Sequence, residues 1–204
     1  MINQNNSSTS FKINVFTPIV YLIIIITNSF EIFLVLFFCA FLHEAAHIIA
    51  MKIVGADIQA ITLLPFGASV KLGQMPIISY KNEMFISLCA PLLNGTIAII
   101  FIIIAKMLNI YLGFLIACNL IMCFMNLMPV SELDGGRALS SFLKILLPLQ
   151  KAELISDIIS VLFLVPIIAL GIYFLISTGY NFSLLLIGIY LSVNFMFKNF
   201  KNRC

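Results

Sequence analysis

A short segment, FLHEAAHIIA at residues 41–50, holds both histidines of the chain. His43 and His47 are four residues apart, so on a helix they project from one face and can place two ring nitrogens on one zinc ion. Glu44 follows the first histidine, where a carboxylate can take a proton from a zinc-activated water and deliver it to a leaving amine. The spacing therefore predicts peptide hydrolysis with zinc as cofactor and Glu44 as general base.

A catalytic zinc also needs a third protein ligand and an open position for water. Asp134 stands out as that ligand, because Pro129 ends an apolar run before it and Gly135 and Gly136 permit a turn after it. An Asp beside Gly is also common in loops and helix caps, so on the residues alone the choice stays open. The other candidates are Asp57, Asp157, Glu31, Glu83, Glu132, Glu153, Cys118 and Cys123.

The composition indicates that this motif lies within a membrane-spanning segment. Of 204 residues, 62% are hydrophobic and 9% charged, and the mean hydropathy is +1.16, whereas ordinary soluble domains carry about 25% charged residues. Runs of about 20 apolar residues span a bilayer as helices. We therefore predict an all-α integral membrane protein with six transmembrane helices, at residues 13–28, 30–54, 84–108, 110–130, 154–177 and 182–199.

The rest of the chain completes this organisation. Residues 1–12 are polar and predict a disordered tail, so residues 13–204 form one membrane domain. The segment at 57–83 is rich in β-branched residues, Pro and Gly, which predicts a short membrane-embedded β-hairpin between helices 2 and 3. An extended substrate could pair with such a hairpin. Residues 131–153 begin with a break and continue as an amphipathic pattern, typical of a helix at the interface.

The positive charges predict the orientation. Cytoplasmic loops of membrane proteins carry an excess of Lys and Arg, and with both termini in the cytoplasm only Lys106 lies outside. The ten inside residues are Lys12, Lys52, Lys71, Lys81, Arg137, Lys144, Lys151, Lys198, Lys201 and Arg203. His47 then lies about 8 Å from the Lys52 end of its helix, at 1.5 Å per residue. No basic block interleaved with aromatics appears, so no nucleic-acid partner is predicted.

Two distant motifs carry a family resemblance. HEAAH on the second span, followed downstream by Asn126, Pro129 and Asp134 with its two glycines, resembles the site-2 protease family of intramembrane zinc metalloproteases. LLPFG at 63–67 and APLLNG at 90–95 are similar to further elements of that family. The core of six predicted spans most closely resembles the sporulation branch of that family, the stage IV sporulation protein FB type. This resemblance implies a location in a bacterial-type cell membrane.

The resemblance implies roles that spacing alone leaves open. It makes His43, His47 and Asp134 the zinc ligands, Glu44 the general base, and Asn126 a residue that orients the peptide or polarises its carbonyl. An Asn at a broken helix end also commonly caps backbone groups. Asn94 is open to a similar role or to bonding between helices. The implied partners are a membrane-tethered protein substrate, an inactive sigma factor in the sporulation branch, and inhibitory membrane proteins. Ala68 and Ala90 stand where the family often has Gly.

Three other interpretations fit part of the pattern. An ion or proton transporter would also bury His, Glu and Asp inside the membrane, but it does not explain the His-Glu-x-x-His order. A membrane zinc peptidase of the prenyl-protein type shares the motif and usually takes a Glu as third ligand. An inactive scaffold would bind a substrate without cutting it, although this chain keeps all four chemical residues.

Overall fold

The structure is a computed structural model that describes residues 10–13, 30–56, 58–64, 67–72 and 78–203. Side chains are described for 30–56 and 78–198. The predicted disordered residues 1–9 and most of the predicted first span, 14–28, lie outside the described residues. The chain divides into two compact units, Met1–Phe124 and Met125–Cys204.

The first unit is built on helices with small residues at their contacts. Helix α1 (Phe30–Ile53) packs against α2 (Tyr80–Leu108), and α3 (Gly113–Leu127) follows, its last three residues belonging to the second unit. Small side chains let helix backbones approach closely where lipid offers no hydrophobic driving force. The buried small residues of this unit include Cys39, Ala46, Ala50, Ala90, Ala98 and Cys118.

A three-stranded sheet belongs to the same unit. Its strands are β1 (Ser10–Ile13), β2 (Ile58–Leu64) and β3 (Gly67–Leu72), in the order β1-β2-β3. β2 pairs antiparallel with β3 and parallel with β1, so β2 is the middle strand and is paired on both sides at residues 60–63. β3 also contacts α1.

The N-terminal strand differs from the prediction. Residues 10–12 were assigned to a disordered tail and Ile13 to the first span, but Ser10–Ile13 form a strand alongside residues 60–63. The polar composition does not prevent this, because backbone N–H and C=O groups make the ladder bonds whatever the side chains. The prediction of a disordered tail is therefore wrong for residues 10–12.

The second unit contains α4 (Asp134–Leu146), α5 (Leu149–Thr178) and α6 (Ser183–Arg203). α5 packs against both of the other helices. The approach of α6 is close at Gly171, where an added Cβ would lie 2.7 Å from the Leu185 Cα. The core of this unit consists of Val130, Leu164, Ile167 and Leu191.

A proline changes the predicted interfacial segment. Residues 131–153 do not form one helix, because α4 ends at Leu146 and residues 149–153 open α5. Leu147 has extended backbone angles, φ −129° and ψ 155°, as expected of a residue that precedes proline. The sequence prediction overlooked this break at Pro148.

Three helices of the described residues are long and apolar enough to cross a membrane: α1, α2 and α5. α3 and residues 183–198 of α6 are apolar but shorter. Large apolar side chains such as Phe41, Ile99 and Leu162 are exposed on these helices, as surfaces that face lipid require. The helices are therefore those of a membrane protein, while the count of six spans stays a prediction.

Candidate metal centre

Helix α1 aligns the two histidines. His43 and His47 lie one turn apart, with ring centroids 5.0 Å from each other and the rings nearly perpendicular. His43 is buried and His47 is partly buried. The neighbouring Cys39, Ala46 and Ala50 are small and fully or almost fully buried, so this face of α1 lies close to the helices around it.

A backbone carbonyl on α2 orients His47. The His47 Nδ1 lies 3.0 Å from the Ile86 carbonyl oxygen. A carbonyl oxygen can only accept a hydrogen bond, so Nδ1 must carry the proton and donate it. In the neutral ring the other nitrogen, Nε2, then carries the lone pair. Metal-binding histidines are commonly held in this way, with one N–H on a carbonyl or carboxylate and the other nitrogen on the metal.

An asparagine side chain on α2 plays the same part for His43. The His43 Nδ1 lies 2.7 Å from the Asn94 Oδ1, and both side chains are buried. The oxygen accepts from the Nδ1–H, so in the neutral ring Nε2 is again the nitrogen with the lone pair. Asn94 therefore bonds two helices, which is one of the two roles that the sequence left open, and the same contact orients a histidine. Its action on a substrate peptide stays a prediction.

Glu44 is half-buried on α1, directly after His43. Successive residues of an α-helix are rotated by about 100°, so Glu44 does not lie on the face that His43 and His47 share. This separation suits a carboxylate that acts beside a metal site without being one of its ligands.

Asp134 is the first residue of α4 and is 7% exposed. The unpaired N–H groups and the positive end of the dipole at a helix N-terminus stabilise a carboxylate there. Two local features of the sequence determine where α4 begins. α3 ends at Leu127, two residues before Pro129, and a short turn follows in which the Leu133 N–H donates to the Val130 carbonyl at 2.8 Å.

Two glycines let the chain fold tightly at this point. A Cβ on Gly135 would collide with the Leu127 carbonyl, and one on Gly136 would collide with the Val130 carbonyl. Both obstacles are backbone atoms, which cannot swing aside as a flexible side chain can. Any larger residue at either position would therefore displace the start of α4 and with it Asp134.

A serine on α5 fixes the same turn from the other side. The Ser131 N–H donates to the Ser160 Oγ at 3.0 Å, and the two hydroxyl oxygens are 2.7 Å apart. Ser160 also donates to the Ser156 carbonyl of its own helix, at 2.8 Å. Because Ser131 and Ser160 are buried, these bonds satisfy groups that would otherwise be costly to remove from water.

Among the described residues, one group could hold a metal ion. His43, His47 and Asp134 each offer a ligand atom, and these atoms all lie within 4.8 Å of one another. Two imidazoles and a carboxylate are the donor set of one class of catalytic zinc site, so the chemistry of the group fits zinc. Of the other candidates, Asp57 lies outside the described residues, and the rest are not part of this group. Asn126, half-buried near the end of α3, is not a member either.

Known proteins with a similar sequence or fold include a zinc metalloprotease and a site-2 protease. No protein-family model matches the chain. A solved structure, the site-2 protease from Methanocaldococcus jannaschii, matches with a TM-score of 0.63 and 25% identity, over 91% of this chain and 88% of that one. In fold and in sequence, the chain is similar to the site-2 proteases.

Two curated proteins are also similar to this chain in sequence. The zinc metalloprotease MJ0392 of M. jannaschii is 30% identical over 141 residues, which are 62% of this chain and 41% of that protein. The stage IV sporulation protein FB of Bacillus subtilis is 25% identical over 182 residues, 88% of this chain and 62% of that one. The chain thus spans less than two thirds of the length of either relative. The resemblance seen in the motifs is confirmed, and neither relative is named as a transporter or a prenyl-protein peptidase.

Two further side chains, which the sequence motifs did not indicate, support this centre. Asn119 lies behind Asn94, and Ser160 lies behind the turn that precedes Asp134. The available signal was the presence of polar residues inside apolar runs, which are rare there and usually have a partner.

The bond from Ser160 to the turn can be tested by stability. Ser160→Ala should lower the free energy of unfolding by about 1–3 kcal/mol, because it leaves the buried Ser131 N–H without this acceptor. Ser192→Ala is the matched control, since the Ser192 hydroxyl donates to the Gly188 carbonyl of its own helix. Chemical unfolding in detergent micelles should show a clearly smaller loss for Ser192→Ala, and equal losses would contradict this role.

Proposed function

We propose that this chain is an intramembrane zinc metalloprotease that cleaves a membrane-tethered protein near the cytoplasmic face. The observation that carries the proposal is the group of His43, His47 and Asp134, with Glu44 beside the first histidine. The similarity to a solved site-2 protease and to a relative named a zinc metalloprotease supports it. In this proposal the three grouped residues hold zinc through the Nε2 atoms of His43 and His47 and the carboxylate of Asp134.

Each residue then has a definite task. Bound zinc supplies an activated water and polarises the scissile carbonyl. The Glu44 carboxylate takes the proton of the attacking water and passes it to the leaving amine, which needs a group near the metal that is not itself a ligand. Asn126 orients the substrate peptide or donates to its carbonyl. The positive end of the helix dipole at the start of α4 attracts a carboxylate, and Asp134 would bind the cation through that group.

The proposed substrate rests on the likeness to a relative, and the proposed orientation in the membrane rests on the positions of Lys and Arg. By likeness to the stage IV sporulation protein FB, the proposed substrate is a membrane-tethered regulator such as a precursor sigma factor, with inhibitory membrane proteins as further partners. Six spans with both termini in the cytoplasm leave Lys106 as the one outside cation. His47 then lies closer to the cytoplasmic end of α1 than to its outer end, so water can enter and a cytoplasmic product can leave.

Two conservative substitutions separate the base from the ligands. Glu44→Gln keeps the shape but cannot accept the proton, so cleavage should fall by about 10²- to 10⁴-fold with zinc content unchanged. Asp134→Asn should lower zinc affinity by roughly tenfold or more. Purified variants would be incubated with a fusion protein carrying one transmembrane helix, with fragments detected by mass spectrometry and zinc by elemental analysis. Undiminished cleavage by Glu44→Gln would refute the proposed base.

The sheet offers a place for the substrate. A transmembrane helix hides its carbonyls in its own hydrogen bonds, so a substrate must be extended locally before it is cut. An extended segment can add as a strand to an exposed sheet edge. Because β2 is paired on both sides, we propose the outer edge of β3 (Gly67–Leu72), which contacts the histidine-bearing helix α1, as the substrate clamp within the membrane.

Proline substitutions test this clamp. Ser69 and Val70 are neighbours on β3, so their N–H groups point to opposite sides of the strand, one towards β2 and the other towards the outer edge. Proline removes the N–H. The variant that loses the outward N–H should cleave the same fusion protein more slowly and keep its zinc, while the other variant weakens the sheet. Normal cleavage by both variants would exclude the β3 edge as the clamp.

A further inference from the structure

A series of buried, hydrogen-bonded side chains extends from His43 across three helices. His43 and Cys39 lie on α1, Asn94 on α2 and Asn119 on α3, and all four are buried. The Asn94 Nδ2 lies 3.0 Å from the Asn119 Oδ1, and the Asn119 Nδ2 lies 2.9 Å from the Leu115 carbonyl oxygen and 3.2 Å from the Cys39 Sγ. These contacts all lie within the first unit.

The direction of each hydrogen bond in this series is fixed by the contact farthest from His43, which is the one between Asn119 and the Leu115 carbonyl. The Leu115 carbonyl can only accept, so the amide nitrogen of Asn119 must face it and donate. The Asn119 Oδ1 is then left to face Asn94, and it accepts from the Asn94 amide nitrogen. If Asn119 were flipped, two oxygen acceptors would lie 2.9 Å apart in an apolar interior where repulsion is weakly screened.

The same reasoning carries over to the histidine. With its nitrogen committed to Asn119, Asn94 presents its oxygen to the His43 Nδ1 at 2.7 Å, so Nδ1 must be protonated. We infer that Asn119 is a positioning residue for His43, which acts through Asn94 to hold the tautomer with an unprotonated Nε2. The tautomer does not depend on the proposed function. Its consequence for zinc affinity rests on the proposed metal site.

The two histidines of the chain make this inference measurable. ¹⁵N-histidine labelling of the full-length chain yields signals from His43 and His47 alone, and ¹⁵N shifts of the metal-stripped protein distinguish Nδ1–H from Nε2–H. Both rings should carry Nδ1–H in the wild type. An Nε2–H form at His43 in the wild type would overturn the inference without any variant.

Asn119→Leu keeps the size and removes both the donor and the acceptor. His43 should then become a mixture of tautomers, with His47 unchanged because its partner is a backbone carbonyl. Zinc affinity, measured by competition with a chelator, should fall by about 10- to 100-fold, as for other partners of zinc-binding histidines. Thr96→Val is the control, since that hydroxyl donates to the Leu92 carbonyl of its own helix, and neither readout should change.

A second background separates positioning from general structural damage. In Asn94→Asp both side-chain oxygens are acceptors, so the His43 Nδ1–H is retained whatever faces the other oxygen. Adding Asn119→Leu to Asn94→Asp should therefore change zinc affinity by less than about threefold, a coupling that only interacting residues show. An equal loss in both backgrounds, or a wild-type tautomer in Asn119→Leu, would overturn the inference. If the wild type binds no zinc while the tautomers follow the prediction, the proposed function fails and the inference stands.

Discussion

A histidine buried in an apolar helix needs a partner for each ring nitrogen, and this constraint organises the first unit. The Nδ1 of His47 uses a backbone carbonyl of α2, and the Nδ1 of His43 uses Asn94. Both arrangements leave Nε2 with a lone pair, and an imidazole so held is ready to bind a metal. A buried polar group without a partner costs a large part of the stability of a protein. The contacts that hold α1 against α2 are therefore also those that prepare the two histidines.

The second unit meets a different requirement, which is to present one carboxylate at a fixed place. Asp134 begins a helix, directly after a turn that two glycines allow to run close to the preceding backbone. Ser160 satisfies the buried N–H of that turn. A carboxylate on a flexible loop would lose conformational freedom each time it bound a cation. Asp134 is fixed by the fold, so it loses most of its conformational freedom on folding and not on binding. This is an advantage for a ligand of a catalytic metal.

Patterns of neighbouring residues predicted more of the site than could be inferred about contacts between residues far apart in the sequence. The histidine pair and Glu44 follow from helical spacing alone, and the glycines singled out Asp134, although its grouping with the histidines depends on tertiary structure. The strand at residues 10–13 could not be predicted, because its partner β2 lies far along the chain and its own composition is polar. Asn119 was missed for a similar reason. A lone Asn in an apolar run signals a partner but does not say which one, and only the packing of three helices supplies it.

The central claim is that one zinc ion is held by two imidazoles and one carboxylate. X-ray absorption at the zinc edge of the purified full-length chain tests it most directly. The account predicts one zinc per chain with only nitrogen and oxygen ligands, at about 2.0–2.2 Å, and outer scattering from two imidazoles. A sulfur ligand at about 2.3 Å would mean that a cysteine replaces Asp134. That result, or a single imidazole, would contradict the account.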